Sequence, residues 1–200
     1  MTPAELAAAV DEAVRADRKV AAHAHGTQGI KDAIQAGVHS IEHGSVLDDE
    51  AIEMMRTRGT VLVPTLSAGA HVVAAADAGR LSDETAAKAR EIAPKMRHSF
   101  ARAYAAGVRV ALGSDAGVFS HGRNGREFTL MVAEGMAPMD AIVAGTSGGA
   151  QLLGLSDVGT VSAGHRADLV LVGGDPLTDI AVLESPVLVI QGGVVVAGTP

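Results

Sequence analysis

The hydrophobic positions of this chain follow two alternating patterns. Some segments carry apolar residues at helical spacing, and others are short, nearly continuous apolar runs of strand length. Helices are predicted at residues 2–16, 27–36, 48–58, 82–106, 126–135 and 138–153. Strands are predicted at residues 19–25, 38–43, 60–66 and 108–114. A strand followed by a helix, repeated every 20 residues or so, indicates parallel β/α units and an α/β fold.

The pattern changes after Gly154. Short β-like runs at 167–172 and 187–196 are separated by Gly, Pro and Asp turns. We therefore divide the chain into a β/α region, residues 1–155, and a small β segment, residues 156–200. Within the first region, Pro94 is expected to bend or break the long helix. The glycine-rich stretch 145–149 is expected to interrupt a helix or allow close packing, since it lacks the lysine of a phosphate-binding loop.

Three predicted strands end in residues that can bind a metal ion. The segments are Val-Ala-Ala-His-Ala-His-Gly at 20–26, Ser-Ile-Glu-His-Gly at 40–44 and Ala-Leu-Gly-Ser-Asp-Ala-Gly at 111–117. Barrel enzymes build active sites where strands meet their carboxyl-end loops. Imidazole nitrogens and carboxylate oxygens are ligands for divalent metals, and His23, His25, His43 and Asp115 supply both kinds. This pattern predicts a metal-dependent hydrolase.

The composition of the chain limits which partners, metal ligands and cellular locations are expected. The chain has 200 residues, 48% of them hydrophobic, a formal charge of −7 and no cysteine. The acidic balance argues against nucleic acid as a partner, and the absence of cysteine excludes disulfides and thiolate metal ligands. We find no signal-like N-terminus and no apolar stretch near the roughly 20 residues of a membrane span. A cytoplasmic location without membrane insertion is therefore expected.

The order of these segments along the chain resembles that of a known protein family. His-Ala-His-Gly at 23–26, Ile-Glu-His-Gly at 41–44, Gly-Ser-Asp-Ala-Gly at 113–117 and Gly-His-Arg-Ala-Asp-Leu-Val-Leu-Val at 164–172 stand in an order typical of amidohydrolases. The chain resembles the carboxy-terminal part of that family, closest to imidazolonepropionase-like and Xaa-Pro dipeptidase-like members. The resemblance implies a partial TIM-like (β/α)₈ barrel, strands five to eight, followed by a C-terminal β-sandwich segment.

The resemblance also implies roles for individual residues. His23, His43 and Asp115 would be metal ligands. Asp115 would also move protons, and His43 would ligate the metal or bind the developing oxyanion. From their positions, His25 and His121 are candidates for substrate contacts. The family's strand-one His-x-His pair and its strand-four carboxylated lysine have no counterpart here.

The implied function is hydrolysis of a C–N bond in an amide, cyclic amide or dipeptide by metal-activated water. The expected cofactor is one or two divalent ions, with zinc favoured, and the expected partners are a small-molecule substrate and either further copies of the chain or a complementing barrel half. Two alternatives stay open. One is a catalytically inactive scaffold or oligomerisation module, and the other is a doubly wound α/β domain that binds a small molecule without hydrolysis.

The remaining polar residues of these segments receive no catalytic role. Strand alternation predicts that Glu42 points to the face opposite His43, where a salt bridge or hydrogen bond is expected. Four other histidines lack a comparable constellation and are interpreted as surface or hydrogen-bonding residues: His39, His71, His98 and His165.

Overall fold

A computed structural model of the protein describes residues 1–198. Its first part alternates helices and parallel strands, in the order α1 (Pro3–Arg15), β1 (Ala21–Ala24), α2 (Thr27–Ala36), β2 (Ser40–His43), α3 (Asp49–Arg58) and β3 (Val61–Val63). The strands pair side by side as β1-β2-β3. This consecutive order differs from a doubly wound sheet, whose strand order reverses at a switch point. The predicted mixed α/β fold is confirmed.

The helix boundaries follow from local sequence signals. Thr2 and Glu5 form a reciprocal capping box at the start of α1, which satisfies two amide groups that the helix cannot pair itself. Asp48 caps α3 by accepting a hydrogen bond from the Ala51 amide. The helix α2 has the predicted bounds, and Gly37 ends it with a positive φ.

The second half of this part is more helical than predicted. It contains α4 (Leu66–Asp77), α5 (Asp83–Ala105), α6 (Arg126–Ala133), α7 (Pro138–Gly145) and α8 (Ser147–Leu153). Helix α4 was not predicted, because its Ala- and Val-rich sequence follows directly on an apolar strand with only Pro64 and Thr65 between them. Pro94 was expected to bend or break the long helix. It does not break it, because α5 is one continuous helix with Pro94 inside it.

Two predicted elements were revised by the structure. The expected fourth strand is reduced to a single parallel bridge between Leu62 and Val110. The Ala111 amide donates to the Leu62 carbonyl, but Pro64, which would donate next, has no amide hydrogen to extend the pairing. The expected helix over 138–153 is divided at Thr146, whose φ of −125° and ψ of −98° are not helical. This division confirms the interruption predicted for residues 145–149.

The C-terminal segment forms a separate antiparallel sheet. Its strands are β4 (Leu169–Leu171), β5 (Leu188–Gln191) and β6 (Val194–Gly198), and a 3₁₀ turn (Ile180–Glu184) lies between β4 and β5. The β5–β6 connection is Gly192-Gly193, both with positive φ, as a tight hairpin requires. Within residues 1–198 this segment is one three-stranded sheet, so the second layer of the predicted β-sandwich is not seen.

The two faces of the parallel sheet have different surroundings. One face packs against the helices, where Ile41 and Leu62 join the main hydrophobic core around Ile30, Met55 and Phe100. On the other face the register aligns Ala21 with Ser40 and Val61, and His23 with Glu42 and Val63. No helix within residues 1–198 is both long and apolar enough to cross a membrane.

Candidate metal centre

Three histidine rings meet at the carboxyl end of β1 and β2. The ring centroids of His23, His25 and His43 lie 4.6–4.7 Å from one another. One ligand nitrogen from each ring lies within 4.8 Å of the other two. The structure therefore brings together His23 and His43, predicted as ligands, with His25, predicted as a substrate contact.

Strand alternation alone would separate His23 from His43. The register pairs His23 with Glu42, so His43 should point to the opposite face of the sheet. Instead, His43 ends β2 with a φ of +72° and is followed by Gly44 at +54°. A side chain at position 44 would place its Cβ 2.6 Å from the Leu62 Cδ1 atom, which explains the glycine. The left-handed backbone redirects the His43 ring towards His23.

Hydrogen bonds hold the buried His43 ring at both nitrogens. Its Nδ1 lies 2.6 Å from the Thr65 hydroxyl oxygen, and its Nε2 lies 2.8 Å from Nδ1 of His23. When Nδ1–H donates to Thr65, Nε2 carries the lone pair that accepts from His23 or, in place of that contact, binds a cation. A partner on the remote nitrogen is the usual way in which proteins orient a metal-binding imidazole.

His25 is held by a similar hydroxyl contact. Its Nδ1 lies 2.7 Å from Oγ of Ser45, a fully buried residue. The backbone carbonyl of Ser45 accepts a hydrogen bond of 3.0 Å from the Ser99 hydroxyl on α5, and Ser99 in turn accepts from the Leu47 amide. The loop after β2 is therefore tied to α5 beneath the histidine rings.

The surroundings favour neutral imidazoles. Burial lowers the pKa of His43 to about 4, the nearby His25 and His23 add to the shift, and Asp115 opposes it. Burial is also the main cause that lowers the pKa of His25, followed by the charge of His23. Neutral imidazole is the form that binds metals. His25 and His43 are therefore ready to act as ligands near neutral pH.

Asp115 and His121 lie in different surroundings. Asp115 is exposed and has a φ of +56°; it lines the same cleft as the three histidines but lies outside their close group of ligand atoms. His121 is also exposed, in the loop before α6, and does not line that cleft. Metal binding by Asp115 and substrate contact by His121 remain predictions.

The cleft beside the histidines has apolar walls. It encloses about 230 Å³. Helices α4 and α5 supply the walls, and half-buried Val72 and Ile92 lie there with buried Ala93 and Met96, while Val118 lies across from them. The polar groups of the cleft are concentrated at the three histidines, Ser45 and Asp115. A bound molecule would meet both polar groups and hydrocarbon in this cleft.

A second, larger cavity of about 860 Å³ lies along the sheet face opposite the main hydrophobic core. Glu42, Val63 and Ala111 line it, together with Leu153, which is 71% exposed. Burial raises the pKa of Glu42, a hydrogen bond of 2.6 Å from the Ser40 hydroxyl opposes that shift, and Asp115 adds to it. The predicted hydrogen bond at Glu42 is confirmed, and this residue points to the same face as His23.

Thr65 and Ser45 were missed at the level of sequence. Each follows a strand closely, at the same edge where the histidines were found, so their position was a usable signal. A hydroxyl group in a loop is nevertheless common, and nothing in the local sequence states that it faces an imidazole. The contacts arise from the fold.

Comparison with known proteins gives relatives that match most of the chain. The model of the amidohydrolase family matches residues 1–197. The chain is 35% identical over 188 residues to ochratoxinase from Aspergillus niger, covering 92% of this chain and 38% of the relative. It is 32% identical over 145 residues to imidazolonepropionase from Cutibacterium acnes, covering 70% of this chain and 31% of the relative.

A solved structure agrees over nearly the whole chain. The crystal structure of a Xaa-Pro dipeptidase with bound methionine in the active site superposes with a TM-score of 0.94 at 42% identity, covering 99% of this chain and 49% of that one. The chain thus spans less than half the length of these relatives. The predicted resemblance is confirmed, and the chain belongs to the amidohydrolase family.

Proposed function

We propose that this chain supplies the metal-binding histidines of a hydrolase that cleaves amide or dipeptide C–N bonds. One observation carries the proposal: three imidazoles converge, and hydroxyl groups fix the remote nitrogen of two of them. An all-nitrogen donor set suits zinc and other borderline divalent metals, and the lack of cysteine leaves imidazole and carboxylate as the available ligands. His23, His25 and His43 would hold the ion.

The chemistry follows from the groups around that position. When bound, a divalent metal supplies Lewis acidity, which polarises a carbonyl and lowers the pKa of water to about 7. Asp115 is exposed and lines the same cleft, where its carboxylate would accept one proton as the water oxygen adds to the carbonyl carbon. As the C–N bond breaks, the same proton passes to the leaving nitrogen. The products are a carboxylic acid and an amine, and the acid passes its proton to the amine at neutral pH.

The apolar cleft points to the substrate class. Its walls of Val72, Ile92 and Met96 would accept a hydrocarbon side chain on one side of the scissile amide. The methionine bound in the active site of the Xaa-Pro dipeptidase structure has a largely apolar side chain, which supports an apolar substrate side chain here. We therefore propose N-acyl amino acids and dipeptides with an aliphatic or thioether side chain as substrates.

The second cavity bears on how the site is completed. The chain spans 49% of the Xaa-Pro dipeptidase, and this cavity adjoins the sheet face that also carries His23. We propose that a complementing barrel half covers this face and contributes further ligands. Such a partner would bury Val14 and Leu153, which line the cavity and are 62% and 71% exposed.

Elemental analysis of the purified, untagged chain tests the metal site. We expect close to one zinc, manganese or iron ion per chain, and a loss of at least tenfold in the double variant His23→Ala/His43→Ala. The matched control is His98→Ala/His165→Ala, which removes the same number of imidazoles away from the cluster. A folded wild-type chain without metal would leave the inactive scaffold as the better reading.

Activity is tested separately. The metal-loaded chain is incubated with N-acetyl-methionine and N-acetyl-glycine, alone and after mixing with the amino-terminal half of the Xaa-Pro dipeptidase as a complementing partner. We expect metal-dependent release of acetate, faster with the methionine derivative and faster in the mixture. Metal binding without turnover in either condition would contradict the hydrolase assignment.

A further inference from the structure

A completely buried carboxylate lies behind the candidate metal centre and is not used in the chemistry above. Glu127 on α6 has no solvent exposure. Its Oε1 accepts a hydrogen bond of 2.7 Å from the Leu66 amide, and its Oε2 accepts one of 2.8 Å from the Ser67 amide. These are the first two amides of α4, so Glu127 caps a helix that begins about 60 residues earlier in the chain.

The residue that would ordinarily provide this cap is Thr65. A threonine at the N-cap usually accepts a hydrogen bond from an amide of the first helical turn. Here Thr65 has a φ of +50° and ψ of +43°, and its side chain makes no capping hydrogen bond. Its hydroxyl contacts Nδ1 of His43 at 2.6 Å instead. One hydroxyl group has been diverted from the helix to the imidazole.

We infer that Glu127 is a positioning residue for the metal centre, because it caps α4 in place of Thr65 and thereby leaves the Thr65 hydroxyl free to hold His43. This inference rests on the proposed function, since its effect is felt through the metal-binding ring. The path consists of two described steps, from Glu127 to the start of α4 and from Thr65 to His43.

The energetics are consistent with this division of roles. The start of a helix carries partial positive charge, so it attracts a carboxylate. Burial raises the pKa of Glu127, and the hydrogen bonds from Ser67 and Leu66 oppose that shift. Left-handed backbone is unfavourable for a β-branched residue and persists only where its surroundings fix it. The buried cap on the following two residues is such a fixed surrounding.

Zinc binding by Glu127 variants tests the inference. Affinity is measured by competition with a chromophoric chelator, and the visible absorption spectrum of the cobalt-loaded protein reports the ligand geometry. We expect Glu127→Ala to weaken zinc binding by at least tenfold and to change the cobalt spectrum, as is typical when support behind a ligand is lost. Glu127→Gln keeps one acceptor oxygen and should lie between wild type and Glu127→Ala.

Met131→Ala provides the matched control. Met131 lies on the same helix, is fully buried and belongs to the main core, so its truncation destabilises the protein without touching the cap. All variants are compared at a temperature at which circular dichroism shows them folded. We expect Met131→Ala to keep the zinc affinity and cobalt spectrum of wild type. Equal losses in Glu127→Ala and Met131→Ala would mean that Glu127 is only a structural cap.

A double-mutant cycle with Thr65→Val tests the proposed path. If Glu127 acts through the Thr65 hydroxyl, Glu127→Ala should weaken zinc binding less than twofold further once that hydroxyl is gone. Losses that multiply would overturn the path.

Imidazole ¹⁵N chemical shifts of His43 in the metal-free protein give a readout that needs no bound metal. They should change in Glu127→Ala and stay unchanged in Met131→Ala. If wild type binds no metal, the proposed function fails, whereas unchanged shifts in Glu127→Ala would contradict the positioning role by itself.

Discussion

The two ends of the parallel strands use unusual backbone conformations differently. Before the strands, two helices end at glycines with positive φ, Gly37 at +96° and Gly59 at +71°. After the strands, positive φ falls on His43, Thr65 and Asp115, at +72°, +50° and +56°. Among residues 1–198, the remaining non-glycine residue with a positive φ is Asp17, which follows α1 and precedes β1.

Side chains at the two ends also differ in what they bind. Before the strands, basic side chains donate to backbone carbonyls: Lys19 to those of Gln151 and Leu152, Arg58 to that of Gln35, and Arg109 to that of Gly59. After the strands, side chains bond to side chains around three imidazoles. At the end before the strands, glycines terminate helices at low conformational cost. At the end after the strands, strained backbone orients the functional side chains.

The largest expected effect comes from His43. We expect His43→Asn, which tolerates the left-handed backbone but removes an imidazole, to weaken zinc binding by at least 100-fold, or about 2.7 kcal/mol. Titration with a competing chelator measures it. A zinc affinity of His43→Asn within threefold of wild type would mean that the metal binds elsewhere. The end of the strands that carries the histidines would then have no metal-binding role.

The stability of the metal-free protein should depend on pH through the same residue. The pKa of His43 is about 4 in the folded chain and about 6.5 in the unfolded chain, so the unfolded state takes up the proton first. Stability is therefore complete above pH 6.5 and falls as pH drops towards 4, by up to about 3 kcal/mol. Urea unfolding at pH 7.5, 5.5 and 4.5 measures the slope. The slope should be reduced in His43→Asn and retained in His98→Ala.

At the other end of the strands, Gly59→Ala should affect stability alone. An alanine held at a positive φ costs about 1–2 kcal/mol, and its Cβ would approach the Arg109 guanidinium at 3.1 Å. Chemical denaturation should show that loss, while zinc affinity stays within twofold of wild type. A matching loss of zinc affinity would show that the two ends are coupled.

The smallest expected effect is a gain in stability at Asp115. This side chain is exposed, so Asp115→Gly relieves the left-handed backbone with little loss of packing. We expect stabilisation of about 0.5–1 kcal/mol in denaturant, with Asp115→Ala as the control that keeps the strain. A less stable glycine variant would indicate that Asp115 is not strained in its folded environment.

The sequence predicted the elements better than the contacts between them. Helices α2 and α3 could be bounded from their caps and terminal glycines, and His23 and His43 from their places at strand ends. Helix α4 could not, because nearly all its positions are apolar or small and no polar stripe marks its period. Thr65 and Glu127 contact residues that are far away in sequence, so no local sequence pattern could predict their roles.

The remote cap on α4 also has a consequence for folding. The amide of Leu66 and its acceptor on Glu127 are 61 residues apart in sequence, so this contact forms only after α6 has docked. We therefore expect the environment of His43 to be completed late, after the folding transition state. A metal ion bound to such a late-forming centre would mainly slow unfolding and leave the refolding rate nearly unchanged.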